Sequence, residues 1–183
     1  MRESGVRGVL VYCSDYKCSH QLWRNPEHNM KIGDWLKKYL DKTLTAEDRT
    51  RMVYPPPIAK TLGFELVEIG NRTATIEMRM DVKVHAHPMG AIHGGVLADL
   101  ADAAIGTAHF TTLEEGESCT TIDLRINFFR PVWNEKIRAI AKAVHSGKTI
   151  SYYTCDVLKS DGKLVATVTS SIMTLRGDQS KGR

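Results

Sequence analysis

The chain has 183 residues, 42% of them hydrophobic, and a formal net charge of +4. This length suits one main domain with an extension, and so mild a charge does not favour a nucleic-acid-binding protein. No stretch approaches the roughly 18 apolar residues of a membrane span, and segment 6–12 is too short and polar for a secretory leader. Four cysteines form no evident disulfide framework. We therefore expect a cytoplasmic protein that binds neither nucleic acid nor a membrane.

Residues 1–29 differ in sequence pattern from the rest and are predicted to be an N-terminal extension. Four side chains in this segment are potential zinc ligands: Cys13, Cys18, His20 and His28. Their spacing resembles one half of a zinc ribbon whose second cysteine pair is missing, so we expect a tail without metal. A related hypothesis starts the functional domain at Met30. The remaining boundaries are a helical lead-in over 30–54, the main domain over 55–176 and a polar tail over 177–183.

The lead-in carries apolar residues at helical spacing. Ile32, Trp35, Leu36, Tyr39 and Leu40 predict an amphipathic helix from residue 30 to about residue 44. A second short helix is expected over 46–53. The three prolines at 55–57 then predict an extended connection, because proline breaks helices and biases the preceding residue away from helical geometry.

Beyond the prolines, the apolar pattern indicates an α+β domain. Period-two alternation predicts strands at 64–69 and 74–80, joined by a turn at Gly70-Asn71. Alanine-rich helical spacing over 96–108 predicts a buried central helix. Four further strands are expected at 120–129, 135–144, 150–159 and 164–174, in antiparallel hairpins and meanders. One sheet wrapped around the helix would leave an edge strand open, which favours a dimer at least.

A His-Gly-Gly motif at residues 93–95 opens the central helix. Glycines at a helix start let a ligand approach the backbone, and they leave first-turn N–H groups free to face an anion or a carbonyl oxygen. Asp102 falls about two turns after Gly95, on the same face of a helix that is too apolar to be exposed. It is therefore a candidate catalytic carboxylate. His85 and His87 lack further clustered metal ligands, so we expect no metal there.

The segment 87–95, together with Leu100-Ala101-Asp102, resembles hotdog-fold acyl-CoA thioesterases of the phenylacetic-acid-pathway (PaaI-like) type. The resemblance continues through 121–131 and 146–149 and covers about residues 55–176. It implies a hotdog fold, in which an antiparallel sheet wraps around a central helix. It also implies hydrolysis of acyl-CoA, without a cofactor, at a site between two subunits of a homodimer or a dimer of dimers (a homotetramer).

The resemblance also implies roles for individual residues. The Gly94 N–H would polarise the thioester carbonyl, while Asp102 from the other subunit acts as nucleophile or general base. Thr121 matches a hydroxyl residue that holds the attacking water, although a threonine chosen for strand propensity is the alternative. His87 stands where the family often has asparagine, which orients the substrate or the carboxylate. Histidine can also donate a hydrogen bond, but its charge depends on pH.

The expected substrate-binding residues are His93, Gly95, Arg130 and Lys148. The resemblance makes Arg130 and Lys148 candidates for the phosphates of coenzyme A, with simple solvated surface charges as the alternative. A second hypothesis is a non-catalytic, acyl-CoA-binding or regulatory hotdog protein. A hotdog hydratase is disfavoured, because Asp81-x3-His85 is one residue short of the Asp-x4-His pattern of such enzymes. The sequence does not identify the acyl group.

Overall fold

The computed structural model describes residues 30–180, and the predictions for residues 1–29 lie outside them. The helices are α1 (Ile32–Leu40), α2 (Ala46–Arg51), α3 (Pro57–Leu62), α4 (Val82–His85) and α5 (Gly94–Phe110). The strands are β1 (Phe64–Gly70), β2 (Thr73–Arg79), β3 (Ser118–Phe128), β4 (Lys136–Ser146), β5 (Ile150–Lys159) and β6 (Leu164–Leu175). A 3-10 turn follows at Gly177–Ser180. Within residues 30–180, no helix is long and apolar enough to cross a membrane.

A six-stranded antiparallel sheet wraps around α5, which confirms the predicted α+β hotdog fold. The strand order is β1-β2-β4-β5-β6-β3. Consecutive strands pair as predicted in the β1–β2 hairpin and the β4-β5-β6 meander. β3 pairs with β6 at the edge of the sheet and not with β4. The chain after β3 does not turn back as a hairpin. The carbonyl oxygens of Val132 and Glu135 instead accept hydrogen bonds from backbone N–H groups just before α5 and just after β2.

The apolar side of the sheet and α5 form the core. Leu100, Ala101, Ala104, Ile105 and Ala108 of α5 are fully buried. Burying one leucine or isoleucine side chain stabilises the fold by about 1.5–3 kcal/mol, so this helix is central to stability. Trp35 and Leu36 of α1 belong to the same core. The helical lead-in therefore packs against the sheet and helix as part of one body.

Several helix predictions needed correction. α1 ends at Leu40, before the predicted residue 44, because the chain turns at Lys42, whose φ is 58°. The prolines at 55–57 do not produce an extended connection throughout, because Pro57 begins α3. Proline is favoured at the first helical position, where no partner for its nitrogen is needed. α3 ends at Gly63, whose φ of 82° is left-handed and suits glycine.

Candidate active site

The hydrogen bonds at the start of α5 leave the Gly94 N–H open. The Gly95 N–H donates to His93 Nδ1 at 2.9 Å, so the His93 side chain caps the helix. The Val96 N–H donates to the His93 carbonyl oxygen at 3.1 Å. By contrast, no residue within 30–180 accepts a hydrogen bond from the Gly94 N–H. The expectation of several free first-turn N–H groups is therefore wrong for Gly95 and Val96, because the ring and the carbonyl oxygen of His93 accept their hydrogen bonds.

Phe128, at the end of β3, packs against Gly94. A Cβ atom added to Gly94 would lie 2.8 Å from Cζ of Phe128, closer than real Cβ contacts allow. Glycine at position 94 therefore lets the aromatic ring touch the backbone beside the open N–H group. The sequence analysis missed Phe128. Its position in the strand pattern places it on a face of β3, but no local pattern shows that the ring reaches the helix.

Asp102 lies on α5 as a partly buried carboxylate. Thr121 Oγ1 donates to Asp102 Oδ1 at 3.2 Å, which joins the helix to β3, and no residue of the described chain donates to Oδ2. Burial raises the pKa of Asp102, the Thr121 hydrogen bond opposes that rise, and the charge of Asp99 adds to it. The arrangement holds one oxygen in place and leaves the other available for a proton or an electrophile.

One chain does not bring Gly94 and Asp102 to the same point. Eight residues separate them along α5, and a rise of 1.5 Å per residue gives an axial distance of about 12 Å. A thioester carbonyl bonded to the Gly94 N–H is therefore out of reach of Asp102 of the same chain. The Asp102–Thr121 pair and the Gly94 amide therefore lie at two separate places on one chain.

His87 belongs to a short ordered loop before α5. Its Nδ1 accepts from the Met89 N–H at 3.1 Å, and its backbone N–H donates to the Ala91 carbonyl oxygen at 2.9 Å. Within residues 30–180, the His87 side chain makes no hydrogen bond to Gly94 or Asp102. The loop fixes the ring through one nitrogen.

His85 is the last residue of the short helix α4. This short helix forms because the Asp81 side chain caps it by accepting from the Lys83 N–H at 2.8 Å. His85 Nδ1 in turn accepts from the Asp81 N–H at 3.1 Å. Within the described part of the chain, no group of three or more histidine, cysteine, aspartate or glutamate side chains is placed to hold a metal ion.

The two candidate phosphate-binding residues lie at opposite ends of the sheet. Arg130 follows the end of β3, and its Nη1 donates to the Leu164 carbonyl oxygen at 2.6 Å. Lys148 lies in the β4–β5 hairpin, where the neighbouring Thr149 accepts from the Thr174 N–H near the start of β3. Both basic side chains are exposed. A single chain does not bring them to one ligand.

A buried polar cluster behind the site was also missed from sequence. His109 Nδ1 lies 3.0 Å from the Tyr153 hydroxyl, and its Nε2 lies 3.0 Å from Thr174 Oγ1. Burial lowers the pKa of His109 to about 4, so the ring is neutral at pH 7. Burial also raises the pKa of Cys119 to about 12, with a contribution from the Asp102 charge. This thiol is therefore protonated and unsuited to act as a nucleophile.

The chain is similar in sequence and in fold to known thioesterases. The sequence model of the thioesterase superfamily matches residues 89–166. Mouse acyl-coenzyme A thioesterase 13 is 30% identical over 103 residues, which cover 55% of this chain and 72% of the mouse protein. A thioesterase crystal structure from Haemophilus influenzae matches with a TM-score of 0.63 and 26% identity, covering 67% of this chain and 85% of that one.

A solved structure of a variant of the phenylacetic acid degradation protein PaaI from Thermus thermophilus is also similar. Its TM-score is 0.60 and its identity 26%, with coverage of 64% of this chain and 98% of that one. The matched family segment begins in the loop before α5 and ends in β6. It therefore includes Gly94, Asp102 and Thr121.

Proposed function

Because this chain belongs to the thioesterase superfamily, we propose that it hydrolyses acyl-CoA thioesters to the free acid and coenzyme A. One observation carries the proposal: the partly buried Asp102 carboxylate is held by Thr121 through one oxygen, and the other oxygen has no donor within residues 30–180. A carboxylate in this state is suited to attack a carbonyl or to activate water.

The proposed chemistry uses three groups. In one route, Asp102 Oδ2 takes the proton of an attacking water and returns it to the thiolate as the C–S bond breaks. In the other, Asp102 attacks the thioester carbon, the thiolate leaves and takes a proton from water, and a water then hydrolyses the acyl-aspartyl anhydride. Thr121 keeps the carboxylate oriented, and its hydroxyl lies where a water beside Asp102 can also bond. The Gly94 N–H donates to the carbonyl oxygen as negative charge develops on it, which is the transition-state stabilisation that a preorganised amide supplies. The products are the acid and the free thiol of coenzyme A.

The separation of about 12 Å along α5 leads us to place each site between two chains. β3 is an 11-residue edge strand in the described sheet, and its apolar Ile122 is 48% exposed. Such an edge is suited to pair with another strand. Antiparallel pairing of two β3 strands about a two-fold axis puts the first half of one alongside the second half of the other. Asp102 and Thr121 of one chain then approach Gly94 of its partner.

The same pairing accounts for the two basic residues. Lys148 lies near the start of β3 and Arg130 just beyond its end, so a two-fold axis brings Lys148 of one chain toward Arg130 of the other. We assign both to the phosphates of coenzyme A. His87, in the loop beside the helix start, is assigned to substrate orientation, with a contribution that depends on its protonation.

A panel of acyl-CoA substrates tests the proposal directly. Release of free thiol is measured for short, medium and aromatic acyl groups with the wild-type protein and with Asp102→Asn. We expect turnover by the wild type and a loss of about 100- to 10,000-fold in the variant, the usual contribution of a general base. Unchanged turnover in Asp102→Asn would exclude the assigned role. Binding of acyl-CoA without turnover in the wild type would favour the non-catalytic alternative.

A further inference from the structure

The face of β3 that points toward α5 forms a strip beside the helix. Six β3 residues are paired with buried residues of β6, and the four from Thr121 onward form a strip on the helix side of the sheet. These four are Thr121, Leu124, Ile126 and Phe128, opposite Ile172, Ser170, Val168 and Ala166. Leu124 and Ile126 are partly buried, whereas Phe128 is 52% exposed. The strip therefore runs from the carboxylate end of the site to an open aromatic ring beside Gly94.

The Phe128 ring leans onto the helix start. Its Cζ and Cε1 atoms would lie 2.8 Å and 3.2 Å from a Cβ at Gly94, so the tip of the ring touches the glycine. Its cross-strand neighbour is the small Ala166, which leaves much of the ring uncovered. Leu124 and Ile126 on the same strip are partly buried, so Phe128 is its most exposed apolar side chain. A ligand that bonds to the Gly94 N–H therefore lies close to this ring.

We infer that Phe128 contacts the substrate and determines acyl specificity, its ring forming a wall for the carbons next to the thioester carbonyl. The inference rests on the proposed function, because it takes the Gly94 N–H as the donor to that carbonyl. A carbonyl oxygen bonded at about 2.9 Å from the Gly94 nitrogen brings the adjoining acyl carbon into van der Waals range of the ring. A flat wall accepts straight-chain and aromatic acyl groups and excludes a carbon that is fully branched next to the carbonyl.

The neighbouring residue provides a matched control. Phe129 has the same side chain and is 55% exposed, but it follows Phe128 directly and so lies one residue out of register with the helix-facing strip. Phe128→Ala and Phe129→Ala remove the same number of atoms from surface-accessible rings at the end of one strand. Thermal unfolding of both variants verifies that the fold is kept.

The test compares hexanoyl-CoA, benzoyl-CoA and pivaloyl-CoA as substrates. In Phe128→Ala we expect kcat/KM to fall about tenfold for hexanoyl-CoA and benzoyl-CoA and to rise for pivaloyl-CoA. A tenfold change is the usual scale of a single apolar contact in a binding pocket. Phe129→Ala keeps the wild-type selectivity within about twofold. An equal loss for all three substrates, or an unchanged selectivity ratio in Phe128→Ala, would overturn the inference.

Binding separates this inference from the proposed function. Calorimetry uses keto analogues of hexanoyl-CoA and pivaloyl-CoA, in which a CH2 group separates the carbonyl from the sulfur. These thioethers keep the carbonyl but cannot be hydrolysed, so they measure the same selectivity without turnover. If the wild type binds the thioethers but hydrolyses no acyl-CoA, the proposed function fails. In that case, the ratio of the two thioether affinities, compared between the wild type and Phe128→Ala, tests the role of Phe128 by itself. Turnover with no shift of selectivity in Phe128→Ala refutes the inference and leaves the hydrolase assignment standing. If the wild type binds neither thioether, both are contradicted.

Discussion

Replacing Asp102 by asparagine should stabilise the fold while removing activity. Burial raises the pKa of Asp102, so the folded state favours its protonated form more than the unfolded state does. Ionisation of the carboxylate therefore costs folding free energy. By linkage, this cost is present above the folded pKa and disappears below the unfolded pKa of about 3.9. Asparagine carries no charge and keeps an oxygen that can accept from Thr121.

The expected gain for Asp102→Asn is about 1 kcal/mol in the free energy of unfolding, typical of relieving an unfavourable group at a functional site. For a chain of this size, that raises Tm by about 2–4 °C. Thermal unfolding at pH 7 and at pH 3.5 measures it. Asp99→Asn is the control, because Asp99 is exposed about one turn earlier on α5. It should change stability by less than about 0.5 kcal/mol and retain turnover.

Two outcomes would refute this reasoning about Asp102. One is a lower Tm for Asp102→Asn than for the wild type at pH 7. The other is a gain at pH 3.5 as large as the gain at pH 7, because a charge that has been neutralised in both states can no longer be the cause.

Three further predictions concern the surroundings of the site. Thr121→Val removes the hydrogen bond that holds down the pKa of Asp102, so the acid limb of the kcat/KM profile moves to higher pH, and Thr121→Ser restores it. The pKa of His109 is about 4 in the folded state, so the unfolded state takes up the proton first as the pH is lowered. The free energy of unfolding therefore falls by up to about 1.4 kcal/mol per pH unit as the pH drops from about 6.5 to 4. Urea titrations at several pH values measure this slope, which is smaller in His109→Gln if the assignment is right. Trp35→Ala lowers the free energy of unfolding by about 3–5 kcal/mol, because it empties a core position and leaves the Asp48 carbonyl oxygen without the indole N–H. A loss below about 1 kcal/mol in a urea titration would show that α1 does not share the core.

The fold was predictable where the local pattern matches the tertiary environment. The alanine- and leucine-rich spacing around Leu100 and Ile105 indicates a buried helix, and these residues do lie in the apolar core. α3 and α4 were missed because each depends on a single terminal feature. Pro57 begins one, and the Asp81 side chain caps the other. Segments of four to six residues are too short to show a helical period.

The site was predictable only in part. The position of Asp102 inside the apolar helix pattern pointed to a partly buried carboxylate, and its bond to Thr121 links two elements that the family resemblance had already placed together. Sequence did not show that His93 takes the Gly95 N–H, because that depends on a side-chain conformation. Nor did it show the contact between Phe128 and Gly94, because the edge position of β3 is set by pairing with β6.

The central claim is that Gly94 and Asp102 act on one thioester from two different chains. Gly94→Pro removes the amide donor at a first helical position that accepts proline, and it is combined with Phe128→Ala in the same chain because the added Cβ would otherwise meet that ring. Asp102→Asn removes the base. The two variants are coexpressed with different affinity tags, doubly tagged dimers are isolated, and their acyl-CoA hydrolysis is measured. The account predicts one intact site per mixed dimer and about half the wild-type activity, although each variant alone is inactive. Mixed dimers as inactive as their parents, or no mixed dimers at all, would contradict it.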